Sequence, residues 1–429
     1  MSNSSPVKAF FLLFRTGLVS QALLLLTLPV ILLKYSPANF GEFSLLITIG
    51  TVIGMVSSFK LERAIVVENE YLVATTFYLS AGLILISSAF CYATVFLVAP
   101  RLLAATSSMW VMSLTVSAYC FLIGLVQLLV HVSMRQSRSD LIGYSDLAFS
   151  GVLLALIIHR PVGDEPVNTL LGIYLVAKLV ATVPFLLLNR HLYHWRNVRR
   201  QLVFSEWPVF KQYLKPVATT LLSTLQFRGI YYLLGIHFGL VATGHVALAH
   251  RVAYAPINLV GTALRRAYFS EFSRLEDNPR DIRQDIRVVL EGGTLVSLVL
   301  ALIVVYLQER FAVLLPENWY AASSYIVILY PAASILVMLS WLDRLYDARG
   351  RQGTALLYEF SYTAVLYLIL LASAWSVSVS TFLSLYVLVT LGYNFFWSAM
   401  TMKLLQIDQR PAMVLAAGHS TIAILCLQF

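Results

Sequence analysis

Charge is what this 429-residue chain lacks most: only 12% of its residues are charged, against 59% that are apolar. A water-soluble globular domain carries about twice that charged fraction, so a soluble fold is excluded. Cysteine is nearly absent as well. Cys91, Cys120 and Cys426 lie apart within apolar stretches, which leaves no CxxC pair, no zinc spacing and no disulfide framework. No Gly-Lys dipeptide occurs, so there is no phosphate-cradling GxxxxGK[ST] loop, and DxD, HExxH and GxSxG are missing too. With no long loop outside the apolar runs, nothing remains in which a soluble catalytic domain could fold. The sequence implies no enzyme, no cofactor and no metal.

What the chain does have is a succession of apolar stretches of about 20 residues, the length that crosses a hydrocarbon core of about 30 Å. They fall at about 10–33, 40–59, 71–99, 109–133, 141–158 and 168–188, then at 213–236, 240–263, 288–306, 321–341, 355–375 and 379–402, with a further one at 411–428. This predicts an all-α polytopic membrane protein of two six-helix lobes: residues 1–189, a cytoplasmic linker at 190–212, residues 213–402, and 403–429 as an additional thirteenth span. The N-terminal segment has no cleavage site at signal-peptide distance, so the first helix is expected to be retained.

Basic residues set the orientation. With the N-terminus in the cytoplasm, 23 of the 30 Lys and Arg residues fall on the inner side, four (Lys34, Arg101, Arg160, Arg310) on the outer side, and Lys178, Arg228 and Arg251 within helices. The net charge of +9 is thereby explained by inner-face bias and attraction to anionic headgroups, without nucleic acid. Residues 271–287 alternate acids and bases, as an interfacial amphipathic helix or a solvated linker would.

The two halves repeat at an offset of 203 residues: Gly41, Phe43 and Leu45 fall on Gly244, Val246 and Leu248, and Leu61, Arg63 and Ala64 on Leu264, Arg266 and Ala267. Parallel halves of this kind enclose a cavity between lobes that can rock. Gly41 and Gly244 would allow close packing at matching places.

A cation inside the bilayer costs about 2.5–3.5 kcal/mol, so the three within helices mark candidate binding groups. Arg228 and Arg251 lie ten and thirteen residues from a turn near 238, at similar depth. Thr220, Thr224 and Arg228 form one helical stripe; Tyr174, Lys178 and Thr182 form another. Arg15, with Thr16, Ser20 and Gln21, adds polarity to the first helix. Acids at membrane depth are few: Asp146, Glu359 and Asp343, of which Asp146 and Glu359 are candidates for ion coupling.

The segment LPVILLKYSPANFGEFSLLITIG followed by SFKLERAIVVEN resembles the opening of the polysaccharide-transporter branch of the multidrug/oligosaccharidyl-lipid/polysaccharide (MOP) exporter superfamily, through Tyr35, Ser36, Pro37, Phe40, Gly41, Lys60, Glu62, Ala64 and Ile65. The second half is similar through Tyr213 and Pro216 and through Gly244, Arg251, Pro256, Gly261 and Ser273; members resembling this chain commonly have twelve or fourteen spans, from which the possible thirteenth departs. The resemblance implies a MATE-like fold in a bacterial inner membrane. It implies a flippase that moves undecaprenyl-pyrophosphate-linked oligosaccharide outward by alternating access, with Arg228, Arg251, Lys178 and Arg15 toward the pyrophosphate. Its partners would be that lipid-linked oligosaccharide, membrane lipids, and the polymerase and chain-length regulator of the same pathway. A multidrug or other small-molecule antiporter, or a non-catalytic subunit of a polysaccharide synthase complex, stays open as an alternative.

Overall fold

The computed structural model describes residues 6–67, 70–102, 109–136, 138–188, 211, 214–255, 260–261, 264, 279–342, 345–346 and 351–428. All regular structure among them is helical: α1 Pro6–Lys34, α2 Pro37–Val56, α3 Glu62–Val67, α4 Glu70–Leu102, α5 Met109–Arg135, α6 Ser139–His159, α7 Pro166–Leu188, α8 Leu214–Arg228, α9 Ile230–Ala253, α10 Pro279–Leu314, α11 Ala321–Leu339, α12 Gln352–Ser373, α13 Val379–Leu404 and α14 Arg410–Leu427. Among the described residues, twelve stretches are long and apolar enough to cross a membrane.

The expected spans at 213–236 and 240–263 form a single 39-residue stretch, Lys215–Ala253. A straight helix of that length would measure about 58 Å, nearly twice the hydrocarbon thickness. Gly239, at φ 84° and ψ 175°, interrupts it, in a conformation open essentially to glycine alone. Ser36 occupies the matching place in the first half at the 203-residue offset. Its extended backbone ends the first span, Pro37 starts α2, and its side chain accepts a hydrogen bond from the Asn39 N–H at 3.3 Å. The repeat thus carries the same break between consecutive spans, with different turn chemistry. The twelfth stretch is the C-terminal helix α14. Residues 279–287, expected in an interfacial segment, are the first turns of the continuous α10.

Residues Met1–Ile236 and His237–Phe429 form two compact units. In the first, α1 lies along α6, α4 along α5, and α2 touches α4, α5, α7 and α8. Lys34, at the C-terminal end of α1, donates to the carbonyls of Ile157, Ile158 and Arg160 at 2.7, 2.9 and 3.1 Å, satisfying the C-terminal end of α6. Ile65, Phe77, Ile84, Leu128, Leu129, Val132 and Phe185 form a core among α3, α4, α5 and α7. In the second unit α14 rests on α10, α11 and α13. Ile422 and Cys426 enter a core with Ala301, Val327 and Tyr330, and Arg410 reaches Glu291 at 3.7 Å.

Gly41 and Gly244 are buried within helices, not in turns. A close approach of α2 to α5 comes further along, where a Cβ at Gly54 would meet the Cys120 carbonyl and Ile123 at 3.0 Å. Those neighbours are backbone and branched carbon, which yield little. Gly54→Leu is expected to cost at least the 1–3 kcal/mol typical of overpacking and to lower the thermal midpoint of the detergent-solubilised protein. An unchanged midpoint would remove the close-packing role.

Candidate functional site

Of the candidate cations, Lys178 has the best-defined surroundings. It lies midway along α7, with its ammonium 5.2 Å above the Phe149 ring of α6, where the ring quadrupole attracts a cation. One turn earlier, Tyr174 sets its ring 6.1 Å from Phe149 and 4.7 Å from Phe43 of α2. Asp146, three residues before Phe149 on α6, stands near enough to act on the Lys178 charge. The Asp146 backbone carbonyl accepts from Ser20 Oγ of α1 at 3.1 Å. Helices α2, α6 and α7 therefore bring together one cation and three aromatic rings, Phe43, Phe149 and Tyr174, with α1 bonded to the backbone of α6 at Asp146.

The polar stripes are arranged differently from a continuous polar wall. Thr182 is buried and gives its hydroxyl to the Lys178 carbonyl at 2.8 Å, and Thr224 gives its own to the Thr220 carbonyl at 2.6 Å. Such i−4 bonds satisfy the hydroxyl within its own helix. Thr16 is buried where α1 meets Gly143 of α6, so it serves packing. Arg15 is exposed on α1 and Gln21 half-buried.

Arg228 closes α8 as a half-buried residue of the first unit. Arg251 is half-buried in the last turn of α9, in the second unit. Glu359, half-buried on α12, lies close to Tyr362 and Tyr393, whose rings stack at 4.4 Å. Asp343 and the linker at 190–210 lie outside the described residues.

Two further carboxylates are buried, of which Glu42 escaped the sequence reading and Glu62 entered it only as part of the family resemblance. Glu42, in the second turn of α2, is only 7% exposed inside a membrane stretch; its place within the span at 40–59 was the available signal. Glu62 is fully buried where α2 passes into α3. Ser58 Oγ donates to its Oε2, and Lys60 Nζ faces Oε1 at 3.7 Å. Phe59 and Lys60 take φ of 54° and 60° to make that turn. Arg135 of α5 secures the following helix by donating from Nη1 to the Ile65 carbonyl at 2.7 Å.

The chain matches the family described as "Polysaccharide biosynthesis protein" over residues 31–324. No curated protein matches it. Among solved structures it is similar to the lipid II flippase MurJ in an inward closed conformation, at 10% identity over 96% of this chain and 92% of that one, with a TM-score of 0.73. A mutant of the Vibrio cholerae MATE transporter VcmN gives 16% identity over 95% and 97%, with a TM-score of 0.65. A MOP superfamily transporter from Pyrococcus furiosus gives 13% over 98% and 97%, with a TM-score of 0.64. At such identities the likeness speaks to fold, and the fold is MATE-like.

Proposed function

Since this chain belongs to the polysaccharide biosynthesis protein family and has the fold of MOP-superfamily transporters, we propose that it is a flippase. Its substrate would be an undecaprenyl-pyrophosphate-linked oligosaccharide, such as an O-antigen or exopolysaccharide repeat unit, carried from the cytoplasmic to the periplasmic leaflet of a bacterial inner membrane. The family match across two thirds of the chain carries this reading. The similarity to a protein titled a lipid II flippase supports a lipid-linked substrate.

In this reading the N-terminus is cytoplasmic, and two lobes, residues 1–189 and 213–402, alternate access around an aqueous cavity. Arg228, Arg251 and Lys178 hold the pyrophosphate and Arg15 helps admit it. Thr220, Thr224, Tyr174, Thr182 and Gln21 support them, and Asp146 and Glu359 are the candidate coupling acids. A polymerase and a chain-length regulator would act on the delivered glycan. An anionic substrate suits a chain with three cations, Lys178, Arg228 and Arg251, within its helices.

A strain lacking the chain should accumulate undecaprenyl-linked repeat units in the inner leaflet. The purified protein in proteoliposomes should carry the same lipid across. Absent intermediates in that strain would indicate a role in synthesis, and transport of cationic drugs alone would indicate the antiporter.

A further inference from the structure

In the second unit α10 and α14 run side by side in the same direction. Arg410 meets Glu291, a Cβ at Gly418 would collide with Thr294, and Ile422 shares a core with Ala301. We propose that the N-terminal end of this seam is a binding site for an anionic phospholipid. Arg287 and Arg410 hold its phosphodiester headgroup, and its acyl chains lie over Val288, Leu295 and Met413. The site does not depend on what the protein carries.

The headgroup end follows from how the two guanidinium groups are held. Arg287 Nε donates to Glu291 Oε1 at 3.0 Å, and Arg410 Nε stands 3.7 Å from the same oxygen. One carboxylate thus gathers a cation from each helix, and the trio keeps a net positive charge. A guanidinium bonded through Nε retains both terminal nitrogens, which can engage two phosphate oxygens. The 3.7 Å separation exceeds hydrogen-bond length, so Arg410 is attracted to Glu291 without being bonded to it. As a clamp between helices the trio would contribute little, because the side chains of Arg287, Arg410 and Glu291 are 48%, 60% and 27% exposed and ion pairs open to solvent are weak. The helices are already joined further along, at Gly418 and Ile422.

Depth and surroundings select a lipid over a soluble anion. The apolar stretches begin at Arg283 and Arg410, and the 28 residues of the first measure about 42 Å against a hydrocarbon core of about 30 Å. Both arginines therefore stand at the edge of the hydrocarbon, where lipid phosphates lie. Val288, Leu295 and Met413 are 63%, 64% and 62% exposed, and acyl chains would cover them. In the orientation proposed above this edge faces the cytoplasmic leaflet, whose anionic lipids attract basic groups.

The test places an environment-sensitive fluorophore at Met413→Cys in the full chain, whose own Cys91, Cys120 and Cys426 are buried. The protein is held in phosphatidylcholine nanodiscs to which brominated phosphatidylglycerol or brominated phosphatidylcholine is added, and the bromines quench on contact. Phosphatidylglycerol should quench at a mole fraction at least about fivefold below phosphatidylcholine, the factor for one uncompensated arginine. Salt should shrink that advantage. Arg287→Gln or Arg410→Gln leaves no net charge and should abolish it. Glu291→Gln leaves two uncompensated arginines and should raise it about fivefold further. Arg351→Gln, at an exposed arginine of α12 outside the seam, should leave it unchanged, and excess inorganic phosphate should not relieve the quenching.

Equal quenching by the two lipids before any charge is altered overturns the proposal and needs no charge variant to fold. An advantage that survives both arginine changes, or that Arg351→Gln removes equally, overturns it in favour of a diffuse basic surface. Relief by inorganic phosphate makes the site one for soluble anions. Loss of the advantage in Glu291→Gln makes the trio a clamp between helices. Glycan export is read in none of these measurements, so the flippase reading fails or stands separately.

Discussion

Arg228→Gln should abolish glycan export while leaving protein level and membrane insertion intact, and Arg251→Gln should do the same to a smaller degree. A guanidinium makes two parallel hydrogen bonds to phosphate oxygens, which an amide cannot reproduce and which a lysine replaces only as a point charge. Truncating one partner of a desolvated charge pair costs about 2–5 kcal/mol, at least about thirtyfold in affinity. The two positions differ in one respect. Arg228 makes no hydrogen bond or ion pair to another described residue. Arg251 already interacts with the protein, so part of any loss there would reflect its own surroundings. Arg310→Gln, an exposed change near the C-terminal end of α10, is the control and should export normally. Quantifying surface glycan against protein level in a complemented deletion strain decides the matter. Normal export from both variants, or a loss that simply follows loss of protein, removes them from the anion site.

Depth was legible in the sequence, and facing was not. Apolar run length located the spans, and the 203-residue repeat matched the helix break at Ser36 to the one at Gly239, because both follow from how far a chain can go in hydrocarbon before it must turn. Which neighbour a side chain meets depends on helix rotation, and hydropathy carries little of that. Thr16 and Ser20 read only as polarity on the first helix, and in the structure they lie at the contact of α1 with α6. Thr182 and Thr224 read as parts of polar stripes, and each also gives its hydroxyl to a carbonyl of its own helix. Lys178 was found because a cation in an apolar run is conspicuous. Its aromatic support was hidden because Phe149 looks like any other apolar residue. Glu42 was missed for the converse reason: one acid near the start of a long apolar run hardly lowers the run's hydropathy.

The buried turn after α2 sets the last expectation, and it separates residues that build the scaffold from residues that bind. Lys60, Glu62, Ala64 and Ile65 carry the family resemblance, and in the structure Ala64 and Ile65 belong to hydrophobic clusters while Lys60 and Glu62 face one another, 6% and 0% exposed. Two consecutive non-glycine residues at positive φ each cost about 1–3 kcal/mol and persist only where the surroundings hold them. Ser87 of α4 helps, donating to the Ser57 carbonyl at 3.1 Å. Lys60→Met alone strands a fully buried carboxylate, and Glu62→Leu strands a buried ammonium; each should cost about 3–5 kcal/mol. The double variant strands neither and should recover most of that loss, because the desolvation of both charges disappears with their attraction. Thermal unfolding of the four proteins in one detergent gives the coupling directly. If the double variant is as unstable as the sum of the singles, the pair is not what holds the turn. If the singles unfold as the wild type does but fail to export, Lys60 and Glu62 belong with the transported substrate and not with the scaffold.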